Sequence, residues 1–179
     1  MQLVKLKNDF DDLWKSAINV YDEAFPDCEK RPVEQHAKLL YDNLFYNFFI
    51  AIDDDKIVGI MIVWNLTEFV HLDYLAISPN YRNKGYGNKL LAQLQNMTTK
   101  PIVLEVEPPN DELTKRRVSF YEKSGFNIVD IDYFMPDYRN QKKTVTMRLM
   151  SNSADICAEN SKKIIDEIHE KIYGIEKRK

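Results

Sequence analysis

The sequence predicts an α/β (α+β) protein built on a mixed, mostly antiparallel sheet. Three observations carry this. "FYNFFIAI" and "KIVGIMIVWNL" are two β-rich runs joined by "DDDK", Asp53 to Lys56, which reads as a hairpin. "FVHLDYLAI", "NKGYGNKLLAQLQNM", "PIVLEVE" and "DELTKRRVSFYEKSGF" then alternate between period two and helical spacing, a central β-α-β-α unit. Further strand patterns flank that unit on both sides.

Taken in order, "QLVKLK" alternates as a first strand. Phe10, Leu13, Trp14, Ile18, Tyr21 and Phe25 recur at helical spacing, with Asn8 or Asp9 as candidate N-cap and Pro26 as stop. "PVEQHAKLLYDNL" opens a second helix at Pro32. After the central unit, whose last helix stops near Gly125, "FNIVDIDYF" and "TVTMRLM" read as two strands. The tail carries Ile164, Ile165, Ile168, Ile172 and Ile175 on one helical stripe, with Gly174 and the basic "EKRK" suited to a helix end. The predicted order is βααβββαβαββα. It divides into a main domain over 1–152 and a helical extension over 153–179, packed on that domain or pairing two protomers into a homodimer.

The 179 residues suit one domain with an appendage. Hydrophobic residues make up 44% and charged residues 30%, ordinary for a globular protein. A net charge of −3 weighs against nucleic acid as partner. No apolar run approaches the ~18 residues of a membrane span. Acidic residues stand where a leader peptide needs an apolar core. Cys28 and Cys157 form no CxxC pair and no metal-ligand cluster, so free thiols in a cytoplasmic protein are expected, with no metal.

Two of the five glycines, Gly85 and Gly87, fall in "RNKGYGNK". A P-loop needs Gly-Lys-Ser/Thr, which is absent. A dinucleotide fingerprint needs a third glycine where Leu90 stands, so nucleotide-dependent redox chemistry is disfavoured. A plain strand-to-helix loop is one reading. A pyrophosphate cradle is the other: unpaired N–H groups at a helix start, glycines that admit an anion to the backbone, and charge from Arg82 and Lys84.

With its flanks, "LAISPNYRNKGYGNKLLAQL" resembles the acyl-CoA-binding motif of the GNAT superfamily of N-acetyltransferases, Arg/Gln-x-x-Gly-x-Gly/Ala, at Arg82, Gly85 and Gly87. "VLEVEPPNDELTKRRVSFYEKSGF" resembles the next strand-helix unit of that superfamily, ending Tyr-x-x-x-Gly-Phe at Tyr121, Gly125 and Phe126. The resemblance implies a central sheet with helices on both faces over 1–152, to which the C-terminal helix is an addition. It implies acetyl-CoA as acyl donor and an amine, on a small molecule or a protein, as acceptor. It also implies a cofactor-binding set of Leu75, Ala76 and Ile77 with Arg82, Asn83, Lys84, Gly85, Tyr86, Gly87 and Asn88, and Tyr121 as general acid. Many members carry an asparagine at the position of Thr114; here Asn110 lies further back, and neither is assigned to the cofactor. Arg116 and Arg117 reach the 3′-phosphate or are solvated charges.

An alkylammonium of pKa ~10 must lose a proton before it attacks a thioester. Strand alternation puts His71, Asp73, Leu75 and Ile77 on one face, and Val103, Glu105 and Glu107 on another. By resemblance His71 aligns with a position that supplies a base. Asp73, Glu105 and Glu107 are the other candidates, and at least one is expected to face the substrate. Structural pairing of these groups is the competing reading. The loop "FPDCEKRPVE" selects the acceptor through Glu29, Lys30 and Arg31 or is an exposed charged loop. His36 and His169 are expected at the surface. A non-catalytic acyl-CoA-binding or regulatory module is the alternative function.

Overall fold

The computed structural model describes residues 1–10, 12–138 and 143–175. Its elements are β1 (Gln2–Lys5), α1 (Asp12–Ala24), α2 (Val33–Asp42), β2 (Tyr46–Asp53), β3 (Lys56–Asn65), β4 (Val70–Ile77), α3 (Tyr86–Met97), β5 (Ile102–Val106), α4 (Glu112–Glu122), β6 (Asn127–Ile128), β7 (Tyr133–Pro136), β8 (Thr144–Ser151) and α5 (Ser161–Lys171). The predicted mixed α/β class holds, and β1–β2, β2–β3, β5–β8, β6–β8 and β7–β8 all pair antiparallel.

One element differs. "FNIVDIDYF" is two strands, not one. The Ile131 N–H turns back to the Val129 carbonyl at 2.9 Å, between the acidic pair Asp130 and Asp132. Alternation survives such a bend, so period two alone does not reveal it. At the other end, α1 begins at Asp12, so neither Asn8 nor Asp9 caps it directly. Asn8 accepts from the Phe10 N–H, and Asp9 pairs with the Tyr41 hydroxyl at 2.7 Å.

The chain forms two compact units, Met1–Asn65 with Leu72–Met97, and Leu66–His71 with Thr98–Lys179. In the first, β2 and β3 turn through Asp54 and Asp55, both in the left-handed region (φ 47° and 58°). Two consecutive positive φ values define the tight turn whose twist matches a hairpin. Helix α1 buries Trp14, Ala17 and Tyr21, and Trp14 meets Phe48 edge to face at 5.7 Å. Phe10 and Leu13, predicted on that stripe, remain 77% and 39% exposed. Gly59 marks a close approach: a Cβ there would lie 2.5 Å from the Ala76 carbonyl oxygen. Only glycine lets β3 press this closely on the end of β4.

In the second unit, the described strands follow the order β5-β8-β6, with β7 also on β8. Helix α4 is defined at both ends by local chemistry. Asp111 accepts from the Thr114 N–H at 2.8 Å while Thr114 Oγ1 accepts from the Asp111 N–H at 3.0 Å, a reciprocal cap. At the far end Gly125 has φ 89°, and the Phe126 N–H reaches the Tyr121 carbonyl (3.1 Å) while the Gly125 N–H reaches Glu122 (3.0 Å). This is a Schellman stop, with Phe126 against the Tyr121 ring at 5.9 Å. The Tyr-x-x-x-Gly-Phe signature is thus, physically, a helix terminator that fixes its own tyrosine. A Cβ at Gly125 meets nothing within 4 Å, so the cost of Gly125→Ala is conformational. We expect a loss of about 1–2 kcal/mol, read as a lowered midpoint in urea denaturation.

The isoleucine stripe of α5 is consumed within this unit: Ile164, Ile168 and Ile172 are at most 3% exposed. The basic "EKRK" lies outside the described residues. Both cysteines are free thiols, and among the described residues no helix is long and apolar enough to cross a membrane.

Candidate functional site

The glycine loop belongs to the first unit. A short 3-10 turn at Pro79–Tyr81 follows β4, and the backbone then enters the left-handed region at Asn83 (φ 60°) and again at Gly85 (φ 80°). The Gly85 carbonyl accepts the Lys89 N–H at 3.1 Å, so α3 starts here. The N–H groups of Tyr86, Gly87 and Asn88 therefore have no carbonyl one turn back. A Cβ on Gly85 would find no atom within 4 Å, so the loop is open there. Arg82 is exposed, and its Nε donates to the Ile77 carbonyl at 3.1 Å, which leaves its terminal nitrogens out of that contact. Lys84 donates to the Asn80 carbonyl at 2.9 Å. Ala76 is buried, while Leu75 and Ile77 are half-buried beside Leu90. Open loop, left-handed backbone, free helix start and two cations suit a phosphate-type anion.

Asp73 also lies in the first unit, in a buried polar cluster. Its Oδ2 accepts the Trp64 indole N–H at 2.8 Å and stands 3.9 Å from the Arg31 guanidinium. Arg31 and Asp73 side chains are 5% and 2% exposed, and the guanidinium lies 5.3 Å from the Trp64 ring centre. The Tyr74 hydroxyl donates to the Glu29 carbonyl at 2.7 Å and accepts the Arg31 N–H at 3.2 Å. Tyr21 donates to the Arg31 carbonyl at 3.2 Å. Arg31 is thus no exposed selector; it and its loop are pinned to β3 and β4. Lys30 pairs with Asp27 at 3.0 Å.

His36 is fully buried, against the surface expectation, with Nδ1 2.6 Å from the Tyr46 hydroxyl. Burial, then the Arg31 charge, pushes its pKa well down, so the ring stays neutral. The helical pattern concealed this because its partner comes from a strand ten residues on.

His71, Glu105 and Tyr121 fall in the second unit. His71 is fully buried, its Nε2 3.6 Å from Glu105 Oε2, and neither ring nitrogen has a hydrogen-bond partner among the described residues. Glu105 accepts from the Tyr133 hydroxyl through Oε1 and from the Tyr173 hydroxyl through Oε2 at 2.8 Å. Burial works to raise the Glu105 pKa. His71 and the two phenols outweigh it and hold the carboxyl below its ordinary value. Neither tyrosine was marked by any local motif; only the fold brings them to Glu105. His169, also expected at the surface, is half-buried, with its ring centre 5.7 Å from that of Tyr133.

Glu107 pairs with Arg117, and Arg116 is exposed. Thr114 is engaged in the helix cap, and Asn110 is exposed. Tyr121 is 9% exposed, and burial pushes its phenol up to about 12, with the Arg117 charge pulling the other way. It therefore keeps its proton across neutral pH. The structure brings His71 within 3.6 Å of Glu105, and it commits Asp73 and Glu107 to partners of their own.

Residues 45–128 match the family described as the acetyltransferase (GNAT) domain. A provisionally named acetyltransferase of Bacillus subtilis (strain 168), YjbC, is 43% identical over 60 residues, 32% of this chain and 31% of its own length. The matched stretch thus spans less than a third of that curated relative. A provisionally assigned GNAT-family acetyltransferase structure from Bacteroides thetaiotaomicron superposes with a TM-score of 0.91 at 29% identity, covering 98% of this chain and 100% of its own. A GNAT acetyltransferase from Elizabethkingia anophelis, solved with acetyl-CoA bound, shares the fold at a TM-score of 0.59 and 16% identity, over 84% of this chain and 95% of its own. Loop, terminated tyrosine helix, the family match over residues 45–128 and the full-length superposition all support a GNAT-superfamily acetyltransferase.

Proposed function

We propose that this protein transfers the acetyl group of acetyl-CoA to a primary amine by direct attack in a ternary complex. The observation that carries the reading is the loop from Arg82 to Asn88. Its two left-handed residues and free helix start are suited to a pyrophosphate, and its glycine has open space where a side chain would stand. The acetyl-CoA held by the Elizabethkingia relative supports that choice of anion.

In this reading Arg82 and the N–H groups of Gly85 to Asn88 hold the diphosphate, and the backbone of Leu75 to Ile77 receives the pantetheine arm. The acceptor ammonium gives its proton to His71 or Glu105, and Asp73 is a structural group. The amine nitrogen bonds to the thioester carbon, the carbon–sulfur bond breaks with its electron pair leaving on sulfur, and the second proton on the new amide nitrogen passes to that thiolate. Tyr121 meets that sulfur. A phenol of pKa about 12 binds its proton more tightly than a thiol of pKa ~8.5 does. Tyr121 therefore acts by donating a hydrogen bond to the developing thiolate, and full proton delivery is secondary. The acceptor is an amine on a small molecule or on a protein.

Calorimetry with acetyl-CoA, followed by thiol-release assays over an amine panel, tests this. Binding with turnover is expected. No binding refutes the reading at its root. Binding with no thiol release on any amine replaces it with a non-catalytic acyl-CoA-binding module.

A further inference from the structure

The C-terminal segment reaches the candidate base pair. Glu167 on α5 accepts the Thr67 N–H at 2.9 Å, and Lys163 pairs with Glu68 at 2.6 Å, so the helix grips the chain that leads into His71. Two residues past the end of α5, Tyr173 donates to the same Glu105 oxygen that stands 3.6 Å from His71. Tyr133 fills the other oxygen. Glu105 is thus held between two phenols, and the imidazole beside it has both ring nitrogens buried with no hydrogen-bond partner among the described residues, Nε2 standing 3.6 Å from Glu105. A buried nitrogen without a hydrogen-bond partner carries a desolvation cost. A purely structural histidine gains nothing from that cost; a base awaiting a proton does.

We propose that Tyr173 is a positioning residue for a His71–Glu105 base pair, which makes the C-terminal extension part of the reacting machinery. The proposal rests on the amine-acetylation reading above. In the step, an acceptor N–H bond breaks and its proton passes, through water admitted with the substrate, to the buried His71 Nδ1. Nε2–H stays directed at Glu105, which remains anionic because both its oxygens carry donors. The neutral amine then attacks the thioester. Among the described residues, the other titratable groups around these side chains are Tyr133 on β7, His169 on α5, with Asp166 acting on His169, and Tyr138, whose ring stacks on Tyr173 at 4.7 Å.

The test is Tyr173→Phe, which keeps the ring and removes only the hydroxyl. Two quantities are read: the titration midpoint of the Glu105 carboxyl by carbon-13 NMR, and the acid limb of kcat/KM. A donor to an anion lowers its pKa, so its loss raises both midpoints; we expect a rise of about half a pH unit or more. Turnover should fall about tenfold, with acetyl-CoA affinity within about twofold of wild type. A lowered melting temperature with both midpoints unmoved overturns the proposal. Incorporating 3-fluorotyrosine at position 173 makes a stronger donor without disturbing the packing. It should move both midpoints down, and failure to do so overturns the proposal even where the phenylalanine variant folds poorly. The two readings fail differently. Wild type that binds acetyl-CoA but turns over no amine removes the acetyl-transfer reading and the base pair with it. Normal turnover with an unmoved Glu105 removes only Tyr173.

Discussion

Tyr121→Phe is expected to lower kcat by about 10²–10⁴-fold while leaving the acetyl-CoA Kd within about twofold. The ring is fixed by the helix stop and by Phe126, and phenylalanine preserves that packing. Only the hydroxyl is lost, and in our reading it acts on the sulfur as the bond breaks, not on the bound cosubstrate. Such a pattern, kcat lost and binding kept, marks an interaction made in the transition state. Two further outcomes follow from a phenol held at about 12 by burial. Because the active form is the protonated one, and protonation persists below that value, no alkaline limb from Tyr121 should appear below pH ~10. Acetyl donors with a more acidic thiol should also narrow the gap between wild type and variant, since a better leaving group needs less help from a donor. Unaltered turnover in Tyr121→Phe removes the residue from this role.

The second large effect is on stability. Asp73→Ala should cost about 3–5 kcal/mol in urea denaturation, because it removes the acceptor of the Trp64 indole N–H and the carboxylate beside the buried Arg31 guanidinium together. The partners are 5% and 2% exposed, so solvent does not screen the loss. Removing both charges as Arg31→Met with Asp73→Leu should recover most of it, since a well-packed apolar pair replaces the ion pair at little net cost. The double variant also bears on chemistry. If Asp73 were the base, that protein would fold and bind acetyl-CoA yet turn over no faster than background. We expect measurable turnover.

Much of the architecture was legible because it is written in local signals. The hairpin showed itself through two acidic residues that tolerate positive φ, and α4 through its terminal glycine. The loop before α3 showed itself because its special backbone falls on glycine and asparagine. What stayed hidden is tertiary. Arg31 reads as one more charge in "CEKRPVE", yet Tyr21, Tyr74, Trp64 and Asp73 enclose it from elements distant in sequence. Alternation placed His71 and Asp73 on one strand face. It could not say that one would meet an indole and the other a carboxylate. Tyr173 was invisible for the same reason: its ring sits 68 residues from the carboxylate it holds.

Helix α4 has a consequence for engineering. Its start is set by Asp111 with Thr114 and its stop by Gly125 with Phe126, so its length is written entirely between residues 111 and 126. Such a segment behaves as a cassette. Moved into a relative with the same flanking strands, it should bring its phenol at the same height without redesign of the host. A single residue inserted between the two caps would instead rotate that phenol by about 100° around the helix and carry it off the face it now occupies.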